Sequence, residues 1–188
     1  MMDNFTPGPA GEASPAEAGA AAEARSAVET PAAVGTPGAV EAAAEADFRE
    51  ELFEAGVPEH LHDWLAGYGI GALVVKMGIR FLEMSPERCV ATMPVEGNTQ
   101  VAGILHGGAH VVLAETLGSF AAGMHAGPGR QALGIEVGAT HHRAVSAGTV
   151  TGTCTAIHLG RTLTTHEIVM TDEQGRRLST ARITNLIR

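Results

Sequence analysis

Glu115 is the only charged residue between Gln100 and Met124, and it stands in the middle of a helical pattern. The stretch from Ala109 to Met124 is otherwise apolar or small. A helix that is apolar on all sides belongs in a core, and a glutamate is almost never buried unless something pairs or uses it. The expectation is therefore a carboxylate with a partner or with chemistry to do. A Gly107-Gly108 pair precedes it. Glycines are poor in helix interiors, yet at a helix start their unpaired N–H groups and the dipole attract negative charge. Without side chains they also let a ligand oxygen approach the backbone. A carboxylate together with such donors suits acyl transfer, in which one group attacks a carbonyl and the other holds its oxygen.

Spacing adds a condition. Gly107 and Glu115 are eight residues apart, about 12 Å along one helix at 1.5 Å per residue. An attacking group must lie within about 3–5 Å of the carbon whose oxygen the donors hold. One chain cannot supply both, whereas two antiparallel copies of the helix can. If Glu115 is catalytic, a twofold homodimer is implied. Ser119, at i+4 from Glu115, shares its face and can hydrogen-bond the carboxylate or a water.

The elements that position these residues follow from local signals. Asp47 with Glu50 resembles a helix N-cap and its capping-box partner, with Gly56 as the stop. Pro58 suits the first turn of a second helix carrying Leu61, Trp64 and Leu65. Val74 to Leu82 reads as a strand, Ser85-Pro86-Glu87 as a turn, and Cys89 to Met93 as the next strand. A helix over roughly Gly107 to His125 ends at Gly127-Pro128-Gly129. Ala132–Val145, Thr149–His158, Thr162–Thr171 and Arg177–Leu186 are rich in Thr, Val and Ile and are joined by short turns, so they read as antiparallel strands. The expected fold is α+β, a curved antiparallel sheet wrapped around one long central helix.

Residues 1–46 hold sixteen Ala, five Pro and five Gly and read as a disordered tail, leaving 47–188 as one domain. The formal net charge of −9 belongs to residues 1–54, with eleven acids and two bases; residues 55–188 are balanced at ten and ten. A neutral domain has no nucleic-acid footprint. No apolar run is long enough for a membrane span, and the tail lacks a signal-peptide core. Cys89 and Cys154 sit in strand-like runs and read as reduced thiols, which points to the cytoplasm. His106 and His110 have a metal-ligand spacing but no third ligand, so no metal and no cofactor are expected.

The pattern Gln100-x-x-Gly103-x-Leu105-His106-Gly107-Gly108-Ala109, followed by Ala114-Glu115 and Ser119, resembles the hotdog-fold acyl-CoA thioesterases. The likeness is to the branch containing 4-hydroxybenzoyl-CoA and 1,4-dihydroxy-2-naphthoyl-CoA thioesterases, and it spans about residues 72–187, including Met93-Pro94-Val95 and His158-Leu159-Gly160. The resemblance implies that Glu115 is the nucleophile or general base acting on an acyl-CoA thioester. It implies that Gly107 N–H polarises the carbonyl from the opposing subunit, that Gln100 and His106 orient the thioester from that subunit, and that Ser119 helps hold the water. For the coenzyme A arm it points to Gly134, to His141, His142, Arg143 and Ala144, and to His158, Leu159, Gly160, Arg161, Thr162 and Leu163. Arg143 and Arg161 also suit phosphate by their own chemistry, since a guanidinium pairs bidentately with it. A homodimer, assembled as a dimer of dimers, is the implied partner. The alternative is a non-catalytic protein that binds acyl-CoA, because the same fold serves both ends.

Overall fold

The structure, a computed structural model, describes residues 47–188. The expected tail, residues 1–46, lies outside the described residues. Among the described residues three short helices come first: α1 (Arg49–Glu54), α2 (His62–Leu65), entered through a 3-10 turn at Glu59–Leu61, and α3 (Ala72–Lys76). Strands β1 (Arg80–Met84) and β2 (Arg88–Pro94) follow, then the long helix α4 (Gly107–Ala126). Four strands complete the chain: β3 (Ala132–His141), β4 (Thr149–Leu159), β5 (Leu163–Thr171) and β6 (Arg177–Ile187). They form one antiparallel six-stranded sheet in the order β1-β2-β4-β5-β6-β3, which is not closed. This is the hotdog arrangement, a long helix cradled by an antiparallel sheet.

The helix lies very close to the sheet because two glycines remove side chains where they cross. A Cβ on Gly118 of α4 would collide with Ile183 of β6, and one on Gly152 of β4 would meet Leu117 at 2.8 Å. Leu113, Leu117, Ile168, Met170 and Ile183 fill the space between, all fully buried. Phe120 packs edge-on against Phe81 of β1, with ring centroids 5.1 Å apart. Cys89 and Cys154 face each other in register across β2 and β4, both free thiols in the core.

Two expectations are corrected. The run from Val74 to Leu82 is not one strand but α3, a turn and then β1. Gly78 takes φ +67°, its N–H reaches Val75 O at 3.0 Å, and Ile79 N–H reaches Val74 O at 3.2 Å. That pair of bonds ends a helix, and it overrides the strand preference of the two valines. Asp47 accepts from Arg49 N–H at 3.0 Å, but α1 begins at Arg49 and its N-cap position is Phe48, with no reciprocal bond from Glu50.

The sheet has one consequential edge. Strand β3 pairs with β6 on one side only, and its Leu133, Ile135 and Val137 are 38%, 57% and 38% exposed. A long edge strand with open backbone groups and apolar side chains is a template for another chain.

Candidate active site

The N-terminus of α4 is built by the loop after β2. Gly103 adopts φ +72°, and Gln100 and Ile104 close a turn through a 2.8 Å backbone bond. That turn carries Gln100 beside Gly107. His106 is the helix N-cap, and its Nδ1 accepts from Gly108 N–H at 2.8 Å. An acceptor Nδ1 leaves the proton of the neutral ring on Nε2, so His106 presents an N–H outward. Gly108 N–H is thereby used, while Gly107 N–H forms no hydrogen bond within the described residues. Of the two glycines, only Gly107 offers a free donor.

A cavity of about 300 Å³ opens at this helix end. Gln100, Gly107 and His110 line it together with His141, His142, Arg143 and Ala144 from the end of β3 and the segment after it. His141 Nε2 lies against Gly107, 2.9 Å from where a Cβ would stand. His141 Nδ1 is 3.2 Å from His110 Nδ1 and 3.1 Å from Ser179 Oγ. The Ser179 hydroxyl donates to Thr140 O at 3.0 Å, so His141 Nδ1 is the donor toward Ser179, and its Nε2 carries the lone pair facing Gly107. His110 is buried and its Nε2 has no partner. Burial, reinforced by His141, pushes the His110 imidazolium down to a pKa of about 4.

Glu115 lies elsewhere. In the single chain it is exposed, on the face of α4 that the sheet does not cover, which corrects the expectation of a buried carboxylate. The helix is apolar because most of it is buried, and Glu115 alone among residues 113–118 is exposed. Ser119 Oγ donates to Glu115 Oε1 at 3.2 Å. Gly134 of β3 lies beside that oxygen, where a Cβ would stand 3.2 Å away. Behind Gly134 is Asn185, fully buried, with Nδ2 on Gly118 O at 3.4 Å and Oδ1 unpartnered. Sequence reading missed Asn185; its signal was an amide in an otherwise apolar-alternating strand end.

The structure divides the remaining candidates. Gly134 joins Glu115, and His141 to Ala144 join Gln100 and Gly107. The run from His158 to Leu163 lines neither place. It turns beyond the C-terminal half of α4, where Gly160 O pairs with His125 Nε2 at 2.9 Å and Arg161 O accepts from Arg130 at 2.6 Å. Within one chain, the residues assigned to the coenzyme A arm thus fall at both ends of the helix. Among the described residues no group of three or more His, Cys, Asp or Glu is placed to hold a metal ion. No helix among them is long and apolar enough to cross a membrane.

Comparison with known proteins agrees with this architecture. Residues 102–179 match the family model of the thioesterase superfamily. The chain is 46% identical over 119 residues to the proofreading thioesterase EntH of Cronobacter turicensis, a match covering 63% of this chain and 87% of that protein. It is 48% identical over 120 residues to a putative esterase of Deinococcus radiodurans, covering 63% of this chain and 76% of that one. Among solved structures, a thioesterase from Haemophilus influenzae superposes with a TM-score of 0.62 at 32% identity, covering 69% of this chain and 89% of the other. A Gln→Ala mutant of a thioesterase from Pseudomonas aeruginosa gives a TM-score of 0.60 at 38% identity, covering 70% and 94%. A long helix with a glycine N-terminus and a lone glutamate, cradled by an antiparallel sheet and matched over most of the length of these relatives, makes this chain a thioester hydrolase and a member of the thioesterase superfamily.

Proposed function

We propose that the protein hydrolyses an aryl- or acyl-CoA thioester to the free acid and coenzyme A, in sites each shared by two chains. Gly107 N–H of one subunit takes the carbonyl oxygen, and Glu115 of the other attacks the carbonyl carbon or removes a proton from the water that does. Electrons move onto the carbonyl oxygen and return as the C–S bond breaks. In the general-base case the thiolate takes the proton that Glu115 removed from water. In the nucleophilic case a water then cleaves the anhydride formed on Glu115, releasing the acid, restoring the carboxylate and supplying the thiol proton. Gln100 and the outward Nε2–H of His106 orient the thioester from the Gly107 side, and Ser119 holds the water or the carboxylate. His141 to Ala144 of one chain and the His158 to Leu163 turn of the other receive the coenzyme A arm, with Arg143 and Arg161 toward phosphate. Gly134 gives the arm room beside Glu115.

The observation that carries this reading is the mismatch within one chain. A free donor at Gly107 and a carboxylate at Glu115 are held about 12 Å apart on a rigid helix, and the carboxylate faces solvent beside the open β3 edge. A second copy added at that edge brings an opposing helix to Glu115. Localisation in the cytoplasm and assembly into a dimer of dimers belong to the same reading. The test is Glu115→Ala measured on benzoyl-CoA by thiol release, with circular dichroism to verify folding. We expect turnover to fall at least a hundredfold, a loss of about 3 kcal/mol or more in transition-state stabilisation. A folded Glu115→Ala protein with full rates overturns the assignment and leaves an acyl-CoA-binding role for the carboxylate face.

A further inference from the structure

A cavity of about 380 Å³ begins at Ser119 and runs along α4 away from Gly107, bounded by Phe120, Gly123, Ala132, Leu133 and the Trp64 indole. A second cavity, of about 360 Å³, lies beyond it between Leu61, Met84 and Met124. Trp64 and Gly123 line both. The indole leans on the bare backbone of Gly123, where a Cβ would meet its ring atoms at 3.3 and 3.4 Å. Trp64 is therefore the wall between two voids. It comes from α2 rather than from the sheet-and-helix unit, and it is 40% exposed, so the surrounding packing does not fix it as the core fixes Phe81.

We infer that Trp64 sets the length of the acyl group this enzyme accepts, by closing the far end of an apolar acyl cavity that starts at Ser119. This rests on Glu115 being the group that meets the thioester. Ser119 touches the Glu115 carboxylate, so a carbonyl carbon held at Glu115 has its substituent at the cavity mouth. The lining is hydrocarbon apart from that hydroxyl, Gln131 and Arg130, whose guanidinium is engaged by Arg161 O. Such a wall favours an uncharged carbon skeleton and rejects a phosphate-bearing arm, whose desolvation it cannot repay. The volume stands at the small end of ligand sites. It suits an aromatic ring system or a short acyl chain and excludes a long one, while the indole face offers an aromatic group an edge or stacking contact. Removing the indole joins the two cavities and opens a path for a longer chain.

The experiment compares Trp64→Ala and the milder Trp64→Leu with the native enzyme on acetyl-, benzoyl- and dodecanoyl-CoA. Melting curves check that each variant is folded, and a sizing column follows the oligomer. We expect kcat/KM for benzoyl-CoA to fall about tenfold, that for dodecanoyl-CoA to rise about tenfold, and that for acetyl-CoA to stay within about twofold. Trp64 is the only tryptophan in the chain, so its fluorescence gives a second reading that needs no turnover. Naphthoate should quench it saturably, and free coenzyme A should not. An equal change on all three thioesters means that the indole contacts the shared coenzyme A arm, and loss of the oligomer in the variants means that a second copy covers this face. Either result, or no response to naphthoate together with unchanged selectivity, overturns the inference. Quenching by naphthoate in a protein that hydrolyses none of the thioesters overturns the hydrolase assignment and leaves the cavity standing.

Discussion

The Nδ1 atoms of His110 and His141 lie 3.2 Å apart across the contact between α4 and β3. The Nδ1–H that His141 directs at Ser179 also faces the His110 nitrogen. A second proton would put a cation into a buried position next to another imidazole. This contact ties the turn of helix after Gly107 to the strand end that lines the same cavity, so the histidine facing Gly107 is held by His110 of the helix as well as by Ser179 of the neighbouring strand.

Stability should therefore fall as acid is added. The pKa of His110 is about 4 in the folded chain and near 6.5 in the unfolded one. Above pH 6.5 neither state binds the proton and the residue contributes nothing. Between pH 6.5 and 4 the unfolded chain takes up the proton and the folded chain does not, so folding weakens by about 3 kcal/mol across that window. His166, lowered in the same direction by burial, adds to the slope. Urea midpoints measured between pH 7 and 4.5 should drop for the native protein and drop less for His110→Leu. Parallel curves for the two proteins would show that His110 does not carry this effect.

Mixing two dead enzymes should restore part of a live one. A Gln100→Ala, His106→Ala protein and a Glu115→Ala protein are each expected to be inactive, because every site in either homodimer is broken. After refolding together, about half the dimers are mixed if the variants pair equally. Each mixed dimer holds one intact site, so about a quarter of native activity should return. Mixed dimers identified by mass, with no activity, rule out the two-chain site.

Residues 1–46 should be removable. A chain beginning at Asp47 is expected to fold with a melting temperature within about 2 °C of the full chain and to keep its catalytic efficiency, because the tail's composition offers almost no core-forming side chains. An insoluble or inactive truncated protein refutes that division of the chain.

The parts of the fold that sequence reveals are those with sharp punctuation. Helix α4 is legible to within a residue because Gly107 opens it and Gly127-Pro128 closes it. The strands after it are legible from β-branched residues and short turns. Val74 to Leu82 misleads because two valines speak for a strand, and only the left-handed Gly78 and its bonds reveal a helix end. At the site, the separation of Gly107 from Glu115 follows from helix rise alone. The exposure of Glu115 does not, since it depends on the sheet staying open at β3. The contact between His110 and His141, 31 positions apart, is a product of tertiary packing with no local signature, whereas the buried amide of Asn185 stands at an inward position of the alternating β6 pattern.

Hydrolysis of a thioester releases a free thiol, and oxidised thiols are disulfides that attack by any accessible thiolate would capture. The two cysteines facing each other between β2 and β4 are closed to that exchange. Burial pushes the Cys89 thiol up to about 11 and raises that of Cys154 further, so neither supplies the thiolate that exchange requires. The sheet thereby keeps the enzyme from becoming a mixed disulfide with its own product. Any labelling of these thiols by a reagent in solution would report the sheet opening rather than the surface.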